Sequence, residues 1–263
     1  MDLIPVVGAS ALLARGSLQV LVVADLHLGL EHELLRGGIT IPSQTGLLLD
    51  RMLDLVEEVG ADRLVVVGDL KQGVPYTSWQ ERREIPAFLA RLSEQVRVDV
   101  VMGNHDVGLS DIASDAIVHP PTGMVLDGVG YFHGHTWPSP DVLRASHLVA
   151  AHIHPAVRLL DPLGHGASEP VWLLGRISPS FQGEDGGITA GSILVLPAFN
   201  PLCGGYLLNA GKDEERGPIM RMIDLGNSSI YLLDGTSLGT VGHILAAQDR
   251  APRRRPRLPR TGR

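Results

Sequence analysis

Residues 18–27 read Leu-Gln-Val-Leu-Val-Val-Ala-Asp-Leu-His, and two later stretches follow the same grammar: Arg-Leu-Val-Val-Val-Gly-Asp-Leu-Lys at 63–71 and Val-Arg-Val-Asp-Val-Val-Met-Gly-Asn-His-Asp at 96–106. Each is a short apolar run, then a small residue, then oxygen- and nitrogen-bearing side chains. Such a run suits a strand buried on both faces. The intervening segments have helical periodicity. Leu48, Met52, Leu55, Val56 and Val59 fall at i, i+4, i+7, i+8 and i+11, with Ser43 placed to cap the start and Gly60 to end the helix. Ser78-Trp-Gln-Glu81 is a capping box, followed by Ile85, Phe88, Leu89 and Leu92. Pro86 inside that pattern is expected to kink the helix or to mark where its regular part begins. Strand, helix, strand, helix, strand makes two βαβ units and a parallel sheet.

The second half has shorter apolar runs punctuated by Gly and Pro. Strand candidates are Gly123–Leu126, Val129–His133, His147–Ala151, Val157–Leu160, Val171–Leu174 and Ser192–Leu196. They predict a second sheet, mostly antiparallel or mixed. Polar Gly-rich stretches at 183–189 and 210–217 read as exposed loops.

The chain has 263 residues, 44% apolar and 19% charged, with only 4% aromatic. That composition excludes a wholly disordered chain and leaves a core of Leu, Val, Ile and Ala. A single cysteine, Cys203, excludes an internal disulfide framework and a CxxC metal site, and reads as a small buried hydrophobe. The net charge of −7 is unevenly spread: residues 248–263 carry +6 and the first 247 carry −13. We expect one folded domain over 1–247 and a disordered basic Pro/Arg tail over 248–263. No apolar run reaches the roughly 18 residues of a membrane span. Leu3–Ala14 is moderately apolar, but Asp2 stands where a signal peptide is basic, so a cytoplasmic protein is expected.

The three strand ends carry Asp25, His27, Asp69, Asn104 and His105. In open α/β sheets, ligands bind outside the carboxyl ends of the strands. In extended backbone, residues i and i+2 point the same way, which lets Asp25 and His27 grip one ion together. The second half adds His133-Gly134-His135 and His152-Ile-His154, again at strand ends. Ten of the eleven histidines lie between residues 27 and 165. Carboxylates, an amide and imidazoles, without thiolate, suit Mn, Fe, Zn and similar divalent ions. Each block alone has an ordinary explanation, a turn or a surface histidine. All of them together, in one order and at strand ends, do not.

Five ordered blocks carry a resemblance: Asp25-Leu-His27, Gly68-Asp69, Gly103-Asn-His-Asp106, His133-Gly134 and Ala151-His-Ile-His154. In these, the chain resembles the calcineurin-like metallophosphoesterase superfamily over residues 18 to about 155. With Gly-Asp-Leu-Lys at 68–71 and Pro-Ala-Phe-Asn at 197–200, it looks like a prokaryotic branch that takes in ICC-like and DNA-ligase-associated-type phosphoesterases. The resemblance implies an α/β four-layer sandwich, two central mixed β-sheets flanked by helices. It implies two divalent metal ions, Mn first, with Fe, Zn, Ni or Co as alternatives. Asp25, His27 and His154 would hold one; Asn104, His133 and His152 the other; Asp69 would bridge them. A metal-bridging hydroxide would attack phosphorus in line. His105 would face the substrate and protonate the leaving oxygen, with Asp106 orienting it and favouring its charged form.

Lys71 is a candidate for contacting a substrate phosphate, or else pairs with a nearby carboxylate. His135 is a candidate for orienting a metal ligand. Asn200 is a candidate for closing the pocket. Ala151 replaces the Gly usual in the pattern, adding only a methyl. The expected substrate is a phosphate ester, a phosphodiester of nucleotide or nucleic-acid type in the first reading and a monoester in the alternative. A further alternative is a non-catalytic metal-binding scaffold or interaction module. The oligomeric state stays open. The arginine tail is either a solubilising end or a salt-sensitive nucleic-acid contact.

Overall fold

The computed structural model describes residues 1–161, 165–181, 188–210 and 217–250. The basic tail beyond 250 and most of both Gly-rich stretches lie outside the described residues. The strands are β1 (Asp2–Pro5), β2 (Leu12–Arg15), β3 (Gln19–Val23), β4 (Arg63–Val67), β5 (Arg97–Val101), β6 (Ile117–His119), β7 (Met124–Leu126), β8 (Val129–Tyr131), β9 (His147–Ala150), β10 (Pro155–Leu160), β11 (Gly166–Ile177), β12 (Ser192–Val195), β13 (Tyr206–Leu207), β14 (Ile223–Leu232) and β15 (Ser237–Thr240). The helices are α1 (Leu30–Arg36), α2 (Thr45–Val59), α3 (Trp79–Ser93), α4 (Pro140–Leu143), α5 (Gly217–Met222) and α6 (Val241–Arg250), the last running across residue 247.

The first sheet has the order β1-β2-β3-β4-β5-β6. The parallel pairing β3-β4-β5 follows the βαβ reading, and β6 extends it in parallel. The antiparallel strands β1, at the edge, and β2, between it and β3, make the sheet mixed. They are built from the segment weighed above as a signal sequence. The second sheet runs β13-β10-β11-β12-β9-β8-β7, with β14 added to β11 and β15 to β14. Its parallel pairs are β13-β10, β12-β9 and β9-β8; β10-β11, β11-β12, β7-β8 and the β14 pairs are antiparallel.

Alternation along the strands sorts side chains into layers. Leu21 and Val23, with Leu64 and Val66, pack under Leu48, Met52 and Leu55 of α2 and Ile85, Phe88 and Leu92 of α3. Val20 and Val22, with Val65, Val67 and Val101, turn the other way. They meet Val129, Tyr131, Val149, Trp172 and Leu194 of the second sheet. The outer face of that sheet buries Phe132, Leu148, Val171, Leu173 and Ile193 under Val142, Ile219, Met222 and Val241. Helix, sheet, sheet, helix is the expected four-layer sandwich.

Local signals held unevenly. Gly60 ends α2 in the left-handed conformation, and the Ser78–Glu81 capping box forms in both directions. The residue at the N-cap of α2 is Gln44 rather than Ser43; the Ser43 hydroxyl accepts from Thr45 N–H at 3.3 Å and donates to Glu84. Helix α3 runs unbroken through Pro86. Asp99, fully buried within β5, accepts from Arg63 Nε at 2.9 Å and lies 2.8 Å from His119 Nε2. No helix among the described residues is long and apolar enough to cross a membrane. Phe88 is 1% exposed at the centre of the first helical layer. Phe88→Ala is expected to lower the unfolding free energy by about 3–5 kcal/mol, read as a drop in the urea midpoint at unchanged m-value.

Candidate metal centre

The inter-sheet layer places the carboxyl ends of β3, β4, β5, β8 and β9 on one rim. Past those ends the backbone continues to pair. Asp25 N–H donates to Gly68 O at 3.1 Å, His27 N–H to Asp69 O at 2.9 Å, and Leu28 N–H to Leu70 O at 2.9 Å. Ala151 N–H donates to His133 O at 3.0 Å. The loops are therefore zipped to each other, and their side chains converge across both sheets. His27 Nε2 lies 3.3 Å from His154 Nε2 and 3.7 Å from Asp69 Oδ2. Asp25 Oδ1 is 3.3 Å from His154 Nε2 and 3.8 Å from His133 Nδ1. Asp69 Oδ2 is 3.2 Å from His133 Nε2. The His133 ring centroid lies 5.0 Å from that of His152 and 5.2 Å from that of His135.

Asp25 and His27 converge without being extended backbone. Asp25, His27, Asp69, His152 and His154 all have positive φ, between 43° and 78°. They are five of the six non-glycine residues with positive φ among the described residues. Left-handed backbone at L-residues costs of order 1–3 kcal/mol each and clusters at functional sites. Here it curls each loop so that both side chains of a D-x-H or H-x-H pair turn into the same space.

Three imidazoles are fixed by carbonyls. His133 Nδ1 contacts Val67 O at 3.0 Å, His154 Nδ1 contacts Gly204 O at 2.8 Å, and His105 Nδ1 contacts Gln72 O at 2.6 Å. A carbonyl only accepts, so Nδ1 is the protonated nitrogen and Nε2 is turned to the centre. The buried Asp25 and Asp69 carboxylates dominate the local field. Burial pushes Asp25 up, but His154 and His133 outweigh it and hold it below the usual carboxylate range. Asp69 is likewise held low, its burial overcome by His133, His27 and the His105 N–H. Burial works against a charged His133 ring, yet Asp69 and Asp25 raise it to about 9. His27, His135 and His152 go the other way, to about 4, chiefly by burial.

The donor set fits divalent cations. Asp25 Oδ1, His27 Nδ1, Asn104 Oδ1 and His133 Nε2 are buried without a hydrogen-bond partner, the close Asp69–His133 and Asp25–His154 approaches being out of line for one. Each such group costs about 1–3 kcal/mol unless something satisfies it. Asp69, His133 and His152 bring one donor atom each to within 4.8 Å of one another; so do His27, Asp69 and His105.

Two expected roles change. Asp106 does not touch the His105 ring. It is fully buried, and its carboxylate accepts from Lys71 N–H at 3.1 Å and Gly103 N–H at 2.8 Å. Burial, reinforced by Asp69, pushes its pKa up to about 6. Asp106 thus ties the β4 loop to the β5 loop, and the Gln72 carbonyl orients His105. Lys71 is fully buried and its ammonium donates to Gly73 O. Burial lowers its pKa, opposed by Glu81, Asp106 and Asp69.

Two further residues stand against the centre. Cys203, read as a packing residue, puts its thiol within ligand reach of His27 and His154. The segment that carries it is anchored by Phe199 N–H to Ala24 O and by Asn200 Nδ2 to Leu26 O, both at 2.9 Å. Asn200 is therefore a strut to the Asp25–His27 loop. Glu81 was recognised only as a cap. Its carboxylate also accepts from Gln72 N–H at 2.9 Å and Gly73 N–H at 2.5 Å, so it holds the loop that holds His105. Its signal, a capping-box Glu, was visible; its second set of partners is not local in sequence.

A family model, calcineurin-like phosphoesterase, matches residues 18–154. Among solved structures the chain is similar to the nuclease MPE of Pseudomonas putida, at 19% identity over 86% of this chain and 89% of that one, with a TM-score of 0.55. It also matches Yfce, a phosphoesterase from E. coli, at 20% identity over 84% and 96%, with a TM-score of 0.38. A search of curated proteins finds no match. The fold and the convergent Asp/His clusters define a metal-dependent phosphoesterase, a hydrolase. The chain belongs to the calcineurin-like phosphoesterase family.

Two substitutions probe the scaffold of the centre. A Cβ on Gly103 would lie 2.1 Å from Asp69 Oδ1 and 2.4 Å from Asp69 N. Gly103→Ala is expected to displace Asp69 and weaken divalent-metal binding by tenfold or more in calorimetric titration, with far-UV circular dichroism unchanged. Glu81→Ala leaves the N–H groups of Gln72, Gly73 and Ser78 short of an acceptor and removes a carboxylate that favours the charged form of Lys71. It is expected to cost about 3 kcal/mol or more in urea unfolding and to slow hydrolysis, with partial recovery in Glu81→Gln.

Proposed function

We propose that this enzyme is a dinuclear phosphodiesterase acting on a nucleotide or nucleic acid, using manganese first among the divalent metals. Asp25, His27 and His154 hold one ion, Asn104, His133 and His152 the other, and Asp69 touches both. The observation that carries this reading is Asp69. Its carboxylate lies between two imidazole groups, 3.7 Å from His27 Nε2 and 3.2 Å from His133 Nε2, and accepts from His105 N–H at 2.8 Å. Two bound divalent cations supply a nucleophile at neutral pH and neutralise charge on the phosphoryl oxygens.

The chain's own residues do the rest. The carbonyls of Val67 and Gly204 keep Nε2 of His133 and His154 facing inward. His105, partly exposed and with its Nδ1–H on the Gln72 carbonyl, presents Nε2, which in the doubly protonated ring gives its proton to the leaving oxygen and leaves the neutral Nδ1–H imidazole. His135 packs against the His133 ring and limits its tilt. The similarity of the fold to a nuclease supports diesters over monoesters as the first substrates to try.

With Mn²⁺ and bis(p-nitrophenyl) phosphate, His105→Ala is expected to lower kcat by about 10²–10⁴-fold while metal content by mass spectrometry stays near wild type. Asp69→Asn is expected to lose both metal and activity. Wild-type rates in both variants would sink the mechanism. Turnover of p-nitrophenyl phosphate but not of the diester would assign the enzyme to monoesters.

A further inference from the structure

Beside the metal centre lies a cleft of about 390 Å³ that shares His154 and Cys203 with it. Its wall is the Phe199–Cys203 segment, which is pinned to the Asp25–His27 loop. Arg51 of α2 also lines it. Arg51 is the one Lys or Arg among the described residues lining the cleft, and no carboxylate lines it.

The guanidinium of Arg51 stands over the Phe199 ring, 4.9 Å from its centroid. Phe199 is 1% exposed and cannot move without disturbing the core. A cation–π contact of this kind restrains the guanidinium beside the ring while its N–H groups remain able to donate. Arg15, Arg63, Arg83, Arg91 and Arg144 each pair with a carboxylate. Arg51 makes no ion pair among the described residues, although Asp50 and Asp54 are close in sequence. On a chain with a net charge of −7, a preorganised and unpaired arginine in a cleft free of acids is a site for an anion. The volume falls in the range of small-molecule sites and admits a nucleoside-sized group.

We propose that Arg51 and this cleft bind a second phosphate of the substrate, one that is not cleaved, together with the nucleoside that joins it to the scissile phosphate. The proposal rests on the phosphodiesterase reading and extends it. Arg51 determines specificity; it does not take part in bond breaking. The enzyme should therefore prefer substrates with a phosphate next to the one that is hydrolysed, whether terminal or internal to a chain.

The test compares kcat/KM for the dinucleotide dTpdT with that for its 5′-phosphorylated and 3′-phosphorylated forms, in wild type and in Arg51→Gln, with Mn²⁺ present. Wild type is expected to favour one phosphorylated form about tenfold or more, and Arg51→Gln to bring that ratio close to one. Arg51→Lys should keep part of it. Using each protein's own dTpdT rate as the reference separates the subsite from any general loss. Calorimetric titration of the metal-free proteins with thymidine 3′,5′-bisphosphate should show about tenfold weaker binding in Arg51→Gln. A wild-type ratio near one for both forms, or an equal ratio in the variant, overturns the subsite and leaves the phosphodiesterase reading standing. Wild type that hydrolyses no diester overturns that reading, and equal binding of the bisphosphate then overturns the subsite on its own evidence.

Discussion

The structure depends on two buried carboxylates. Asp25 is 0% and Asp69 2% exposed. Burying an ionised carboxylate costs several kcal/mol unless opposite charge and donors surround it. The rim answers with the His154, His133 and His27 rings and the His105 N–H. These partners come from strands of both sheets, so the carboxylates cannot be satisfied until the sheets have packed. This couples site formation to the inter-sheet layer of Val20, Val22, Val65, Val67 and Val101. A one-residue slip in β3 or β4 would send these valines to the helices and turn both aspartates away from the rim.

The same packing explains the glycines before the ligands. Gly68 has φ of +84°, and a Cβ there would lie 2.1 Å from His133 Nδ1. Gly103 abuts Asp69 as closely. Each gives up a side chain so that a residue from elsewhere can approach the backbone. The left-handed Asp25, His27, Asp69, His152 and His154 have no such freedom, and they remain strained because neighbouring loops hydrogen-bond across them. Asp106 and Glu81 serve this end. Each accepts from two or more backbone N–H groups and converts a bend into a fixed loop.

What was legible in the sequence was what local pattern encodes. The apolar runs before Asp25, Asp69 and Asn104 end within a residue or two of β3, β4 and β5. The Asp, Asn and His residues that follow are the ones brought together. Strand β14 was missed because Ile-Asp-Leu-Gly-Asn-Ser-Ser-Ile-Tyr-Leu has a polar centre and a shifted register opposite β11. Strand β6 was missed because three residues make no pattern. Lys71 and Asp106 were misjudged for a different reason. Their places beside Asp69 and His105 suggest a phosphate or carboxylate contact for Lys71 and a ring contact for Asp106, while burial and long-range hydrogen bonds decide what each touches. No periodicity reports on that.

Charge was misleading when read as a total. A chain at −7 should repel a polyanion at long range, an effect that salt screens beyond roughly 8 Å at physiological ionic strength. Capture of a phosphate ester is decided inside that distance. There, Asp25 and Asp69 are enclosed by imidazoles and turned inward, so they present no open carboxylate to the cleft. Lys71 is sealed beneath the loops and contributes to the field without meeting ligand. The cationic group that reaches the cleft is Arg51, its guanidinium over the Phe199 ring. Selection of phosphate therefore depends on which charges are exposed at the rim, not on the net charge of the chain.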